Sequence, residues 1–272
     1  MMKRIHIVGC GPRTGTTLLT EMMISSYKID VFTEHEDRIA KPPKKSGKVF
    51  LTKSPKDIIL IKPVLQVMKD LYVIFMIRDP RDSVVSKHGT HKEHYWSNLL
   101  YWKNFLPFAE SLQDHERFLT VRYEDLARNP DEVQSRISSF LPFIEEKHKF
   151  SEYHRTAKPS SDSQLALGSV RPVSDQSIGN WRNHKPRVLG QIILHGSISE
   201  DLIKYGYETN SDWENELQGV EPDLQDGRGP EFYKKSFIRK KRRGMYLRAF
   251  RVWFYHTPLF LCFLDKFSKE KK

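Results

Sequence analysis

The chain has 272 residues, of which 38% are hydrophobic, enough for one α/β core with additions. Its net charge of +11 is uneven: 232–272 holds 13 Lys/Arg against 2 Asp/Glu, while the preceding residues balance at 32 and 32. This excludes a generally basic, nucleic-acid-coating surface and predicts a neutral body with a specialised basic tail.

In chain order, residues 4–9 read as a β-strand, and 16–27 as a helix entered through a Gly/Thr loop. A short strand at 30–33 ends in Glu34-His35-Glu36-Asp37, and a Pro/Lys/Gly loop covers 41–48. Residues 49–52 form a buried strand with Lys53-Ser54-Pro55 at its end, followed by a helix over 57–69. Residues 71–77 are the clearest central strand, an unbroken apolar run of the parallel-sheet kind. Arg78-Asp79-Pro80-Arg81-Asp82 then turns into another helix, with Pro80 in its first turn. A helix over 95–112, a strand over 118–122, Tyr123-Glu124-Asp125-Leu126 and a helix over 130–141 complete the alternation. Strands alternating with helices predict a three-layer α/β fold, a P-loop-like parallel sheet flanked by helices, with ligand loops at the C-terminal strand ends.

Residues 151–172 read as a polar loop or lid, and 188–207 as helical, ending at Gly206. The organisation expected is a domain over 1–208, an acidic, Gly/Pro-punctuated linker over 209–231, and a basic, aromatic C-terminal tail over 232–272. The first strand starts almost at once, leaving no room for a signal peptide or membrane stem. Cys10 and Cys262 have neither disulfide nor metal spacing. Together these predict a cytoplasmic location.

The loop Gly11-Pro12-Arg13-Thr14-Gly15-Thr16-Thr17 places backbone N–H groups, hydroxyls and one guanidinium at a helix N-terminus, a binding site for phosphate or sulfate. It resembles a Walker A loop in which Thr16 stands where the lysine belongs, leaving Arg13 as its only cation. A phosphate cradle of this kind, with a cation in mid-loop, resembles that of sulfotransferases using 3'-phosphoadenosine 5'-phosphosulfate (PAPS). The next element, Arg78 at the end of the central strand and Ser86 eight positions on, can point two side chains at one anion. The resemblance implies that they clamp the donor's 3'-phosphate. Tyr123 in Tyr-Glu-Asp-Leu resembles the family's adenine-side signature. Ser177-Ile178-Gly179-Asn180-Trp181-Arg182 resembles its late loop, implying nucleotide contacts from Ser177 and Arg182. Ser174-Asp175-Gln176 stands where cytosolic small-molecule members carry Arg-Lys-Gly. Trp181 also reads as core.

The base is implied by the same resemblance. Lys53 stands where small-molecule sulfotransferases have a catalytic His, and Lys53-Ser54-Pro55 is closer to the glycan and protein-tyrosine type. That type uses a Glu about 21 residues after the loop cation, which is Glu34 here; Glu36 or His35 takes the role if the register slips. Lys53 and Arg13 would stabilise charge on the moving sulfuryl group and the leaving phosphate. His88, His91 and His94 read either as acceptor-pocket residues or as a solvated turn.

The expectation is therefore metal-independent transfer of SO3 from PAPS to a hydroxyl, foremost that of a carbohydrate or glycolipid. Tyrosine and small alcohols are alternative acceptors, and a P-loop kinase or a non-catalytic nucleotide-binding protein are rival readings. The tail reads either as an interfacial membrane segment at the inner membrane face or as a helix packed on the body.

Overall fold

The computed structural model describes residues 2–34, 36–87, 93–227, 236, 244–255, 257 and 259–260. Five strands, β1 (Lys3–Gly9), β2 (Val31–Phe32), β3 (Val49–Lys53), β4 (Leu71–Ile77) and β5 (Phe118–Arg122), form one sheet. Their order is β2-β3-β1-β4-β5 and every pairing is parallel. This is the α/β sheet that the alternation of elements predicts.

The period of two along β4 explains the layers. Leu71, Val73, Phe75 and Ile77 enter one apolar cluster, while Ile74 and Met76 enter another on the opposite face. The first cluster is covered by α2 (Ile58–Val67) and α4 (Leu99–Glu110), and the second by α1 (Thr16–Ser26) and α6 (Pro130–Phe140). A third cluster joins α3 (Pro80–Val85), α9 (Lys185–His195) and α10 (Ser199–Lys204) around Trp181. The remaining helices are α5 (Tyr123–Arg128), α7 (Tyr153–Thr156), α8 (Ser161–Leu167) and α11 (Met245–Tyr255).

Several segments differ from their expected form. The stretch expected as a polar lid carries α7 and α8, and Ser160 caps α8 by accepting from the Ser163 amide. The helix expected over 188–207 is two helices, α9 and α10, broken at Gly196, whose φ of 85° is the left-handed region a side chain disfavours. The expected linker packs on the body. Trp213 and Leu217 are buried in the third cluster, and Asp226 accepts from His195 at 3.0 Å and Gln191 at 3.2 Å. Trp181 is core, 1% exposed, and its ring meets Trp213 edge-on at 5.8 Å.

Between these two indoles lies Arg81, with its guanidinium 4.3 Å from one ring and 4.7 Å from the other. Asp79 and Glu208 pair with it at 2.7 and 2.6 Å. A buried cation needs such partners, and here two carboxylates and two aromatic faces supply them. Trp213→Ala is therefore expected to lower unfolding stability by about 3 kcal/mol in denaturant titration. A change within about 0.5 kcal/mol would mean that the segment behaves as a solvated linker.

Candidate active site

The site is built at the C-terminal ends of β1, β3 and β4. After β1 the chain turns through Gly11 (φ 93°), Arg13 (φ 67°) and Gly15 (φ 88°). Arg13 is the only non-glycine residue with positive φ among those described. Space as well as φ restricts the loop: a Cβ on Gly11 would stand 2.6 Å from Tyr101, and one on Gly15 2.5 Å from Tyr123. Thr14 donates its hydroxyl to the Gly11 carbonyl at 3.0 Å, closing the turn from inside. No side chain caps α1 and its first turn holds no acidic residue, so the positive end of the helix is left for an anion.

A cavity of about 640 Å³ opens over this turn. Its walls include Pro12, Arg13, Gly15, Thr16 and Thr17 from the loop, together with Arg78, Ser86, Tyr123 and Ser177. The sequence singles out all of these. They are brought together from β1, β4, β5 and the late loop by the parallel topology. Ser86 stands just past the end of α3 and accepts from Arg13 Nε at 2.8 Å. Arg78 reaches back to the loop, donating to the Arg13 carbonyl at 3.2 Å and to the Ser177 carbonyl at 2.9 Å. Its guanidinium lies 4.2 Å from the centre of the Tyr123 ring, whose hydroxyl is 2.7 Å from the Ser177 hydroxyl. The buried Arg78 Nε has no hydrogen-bond partner among the described residues.

Lys53, at the end of β3, donates to the Thr17 hydroxyl at 2.9 Å. Burial pushes its ammonium pKa down, against the opposing pull of Glu36 and Glu21. Burial also lowers the Arg13 pKa, with Arg78 adding like-charge repulsion. Arg13 and Arg78 are thus like charges held close together, an arrangement that an incoming polyanion would relieve.

Glu34 and Glu36 are both exposed, but Glu36 lines the cavity and Glu34 does not. The Glu34 backbone carbonyl accepts the Ser160 hydroxyl at 3.0 Å. The register is set three and five residues after Glu34. The Asp37 amide donates to the Lys53 carbonyl at 2.9 Å, and the Ile39 amide to Asp57 Oδ2 at 2.6 Å. Asp57 is itself buried against His6 at 3.5 Å. Arg4 and His6 both bond the Thr52 hydroxyl, and burial pushes the Arg4 pKa down to about 9. This polar cluster ties the 37–41 segment to the sheet.

Arg182 is outside the cavity lining; it is paired with Glu216 at 3.3 Å, in the segment expected as a linker. The cavity cation from that region is Arg171, and Tyr153 and Trp96 also line the wall. Sequence reasoning did not assign these three. His35, His88 and His91 lie outside the described residues, and His94 is exposed. The late loop is held by Asp82, which accepts from the Gly179 and Trp181 amides at 2.8 and 2.9 Å. Burial raises the Asp82 pKa, Arg78 opposing. Among the described residues no group of His, Cys, Asp and Glu could hold a metal ion.

Residues 36–143 match the family model described as the Sulfotransferase family. No curated protein matches the chain in sequence. Among solved structures, a mouse sulfotransferase complexed with PAP (3',5'-adenosine bisphosphate) is 14% identical over 67% of this chain and 78% of that one, with a TM-score of 0.47. A sulfotransferase domain from the curacin biosynthetic pathway is 15% identical over 90% and 98%, with a TM-score of 0.45. A retinol dehydratase in complex with retinol and PAP is 12% identical over 83% and 84%, at 0.38.

Removing the Asp82 carboxylate strands two backbone donors. Asp82→Ala is expected to cost about 2 kcal/mol and to speed amide exchange at Gly179 and Trp181 selectively. Unchanged exchange at both amides would show that Asp82 does not hold the loop.

Proposed function

We propose that this chain, whose residues 36–143 match the sulfotransferase family model, moves a sulfuryl group from PAPS to an acceptor hydroxyl. The observation that carries this reading is the meeting of Arg13 and Arg78 with the uncapped end of α1 in one cavity, with Lys53 behind its wall on the Thr17 hydroxyl. The residues fit the donor: a loop with no room for a Cβ at Gly11 or Gly15, buried cations, and an Arg78 Nε still lacking a partner. When bound, PAPS supplies an activated sulfuryl group on a phosphate leaving group.

The residues divide the remaining work. Arg78 and Ser86 are suited to the 3'-phosphate, and the 11–17 loop to the 5'-phosphate, with Tyr123 and Ser177 beside the nucleoside. Arg13, in the cavity wall, and Lys53, through the Thr17 hydroxyl it bonds, would stabilise the negative charge that gathers as the sulfur–phosphate-oxygen bond breaks and the acceptor-oxygen–sulfur bond forms. Glu36 takes the proton of the attacking hydroxyl. It is chosen over Glu34 because it lines the cavity and is electrostatically coupled to Lys53. The acceptor in this reading is a carbohydrate or glycolipid hydroxyl. Its support is Lys53 in a Lys-Ser-Pro segment with a neighbouring Glu, the pattern that resembles glycan and protein-tyrosine sulfotransferases.

The test is turnover from labelled PAPS against glycan, tyrosyl-peptide and small-alcohol acceptors. Transfer to the glycan set is expected, with Glu36→Gln lowering kcat by about 10²-fold or more and Glu34→Gln leaving it near wild type. Loss in Glu34→Gln alone would assign the base to Glu34. Preference for a peptide or small alcohol would overturn the acceptor class.

A further inference from the structure

Five of the eleven exposed large apolar side chains among the described residues lie between Leu247 and Leu259. They belong to α11 and the turn after it. The helix is anchored: it packs on α2, and Ala249 is fully buried in the cluster beneath it. At about 100° per residue, Trp253, Phe250, Phe254 and Leu247 span an arc of about 120°. Ala249 borders one edge of that arc, toward the body. Exposed Arg251 borders the other. Leu247 is 73% exposed and Phe250 58%. The Phe250 and Trp253 rings sit 5.4 Å apart, and those of Phe254 and Phe260 5.7 Å, so the aromatic side chains form two packed pairs.

We infer that this outer face of α11 docks on a lipid bilayer surface bearing anionic headgroups. The charge pattern selects that occupant. The face lies within 232–272, where 13 Lys/Arg stand against 2 Asp/Glu, while the rest of the chain is neutral. A second copy would bring the same excess of cations to the same face. The length selects the mode of contact. Eleven residues make a helix of about 16 Å, roughly half the hydrocarbon thickness, so α11 lies along the interface with its aromatic arc inserted and its cations at headgroup level. Tryptophan and arginine at the borders of the arc suit that depth. The body, tethered through α2, is then held at the membrane surface. This inference rests on α11 alone and is independent of the chemistry proposed for the cavity.

The experiment is co-sedimentation of the full chain with vesicles of phosphatidylcholine alone and of phosphatidylcholine mixed with phosphatidylglycerol. It is repeated for the double variant Phe250→Ser/Trp253→Ser and for Arg251→Glu, with thermal unfolding as the check that each variant folds. Partition onto the anionic vesicles is expected, weakened by salt, and reduced about tenfold or more by the double variant. Arg251→Glu should reduce it less. Equal partition of wild type and double variant would overturn the inference, as would equal binding to neutral vesicles. So would a concentration-dependent dimer, dissolved by the double variant, in a protein that ignores both vesicles. That result would assign the face to a second copy. Because the readout is binding, failure here leaves the sulfuryl-transfer reading untouched, and failure of that reading leaves this one.

Discussion

Everything at the cavity depends on the backbone path from Gly9 to Thr16. A parallel strand must hand over to a helix within a few residues, and the turn that does so takes positive φ at Gly11, Arg13 and Gly15. Two of those positions are glycine, which adopts such angles without strain. The third is an arginine, for which they cost of order 1 kcal/mol. That cost is offset by what the conformation achieves. The Arg13 side chain reaches Ser86, and its carbonyl accepts from Arg78. The first turn of α1 is meanwhile left uncapped. The local strain and the anion site are one feature.

The second constraint lies behind the sheet. On the α2 face, β1 carries Arg4 and His6, polar groups where the apolar alternation would place core. Both bond the Thr52 hydroxyl, Arg4 also donates to the Lys41 carbonyl, and His6 faces Asp57 at 3.5 Å. Asp57 in turn holds the Ile39 amide, and the Lys53 carbonyl holds that of Asp37. A buried polar network thus sets the register of a surface loop and brings Glu36, rather than Glu34, to the cavity beside Lys53. Buried polar groups of this kind are costly unless every member is paired, and they specify one arrangement when they are.

Much of the fold was legible in the sequence because parallel strands are buried on both faces. The apolar run Leu71–Ile77 could be read directly, and so could the 11–17 loop, whose composition and position after a strand carry their own chemistry. Arg78, Ser86, Tyr123 and Ser177 were legible through the resemblance of their segments to sulfotransferase motifs, Arg78 and Tyr123 directly after strands and Ser177 in the late loop. What was not legible depends on long-range contacts. The choice between Glu34 and Glu36 is made by a hydrogen bond from the Asp37 amide to the Lys53 carbonyl and one from the Ile39 amide to the Asp57 carboxylate, neither of which has a local signature. Arg182 turns away from the cavity because Glu216 meets it, and Glu216 lies in a segment whose acidic, Gly/Pro-rich composition imitates a linker. The contrary signal was Trp213 with Leu217 four residues on, one turn of an apolar stripe within that composition. The tail divided similarly. Its charge was plain, but the single small residue Ala249, by which α11 packs on the body, was not. The basic run 239–243 lies outside the described residues.

The central claim is that the cavity holds an adenosine bisphosphate moiety without metal. Calorimetric titration of 3',5'-adenosine bisphosphate and of Mg-ATP tests it most directly, on wild type and on Arg78→Ala. The account predicts metal-independent binding of the bisphosphate in preference to Mg-ATP, weakened at least about tenfold by the substitution, the equivalent of one lost charged hydrogen bond. Preference for Mg-ATP, or bisphosphate binding indifferent to Arg78, would contradict it.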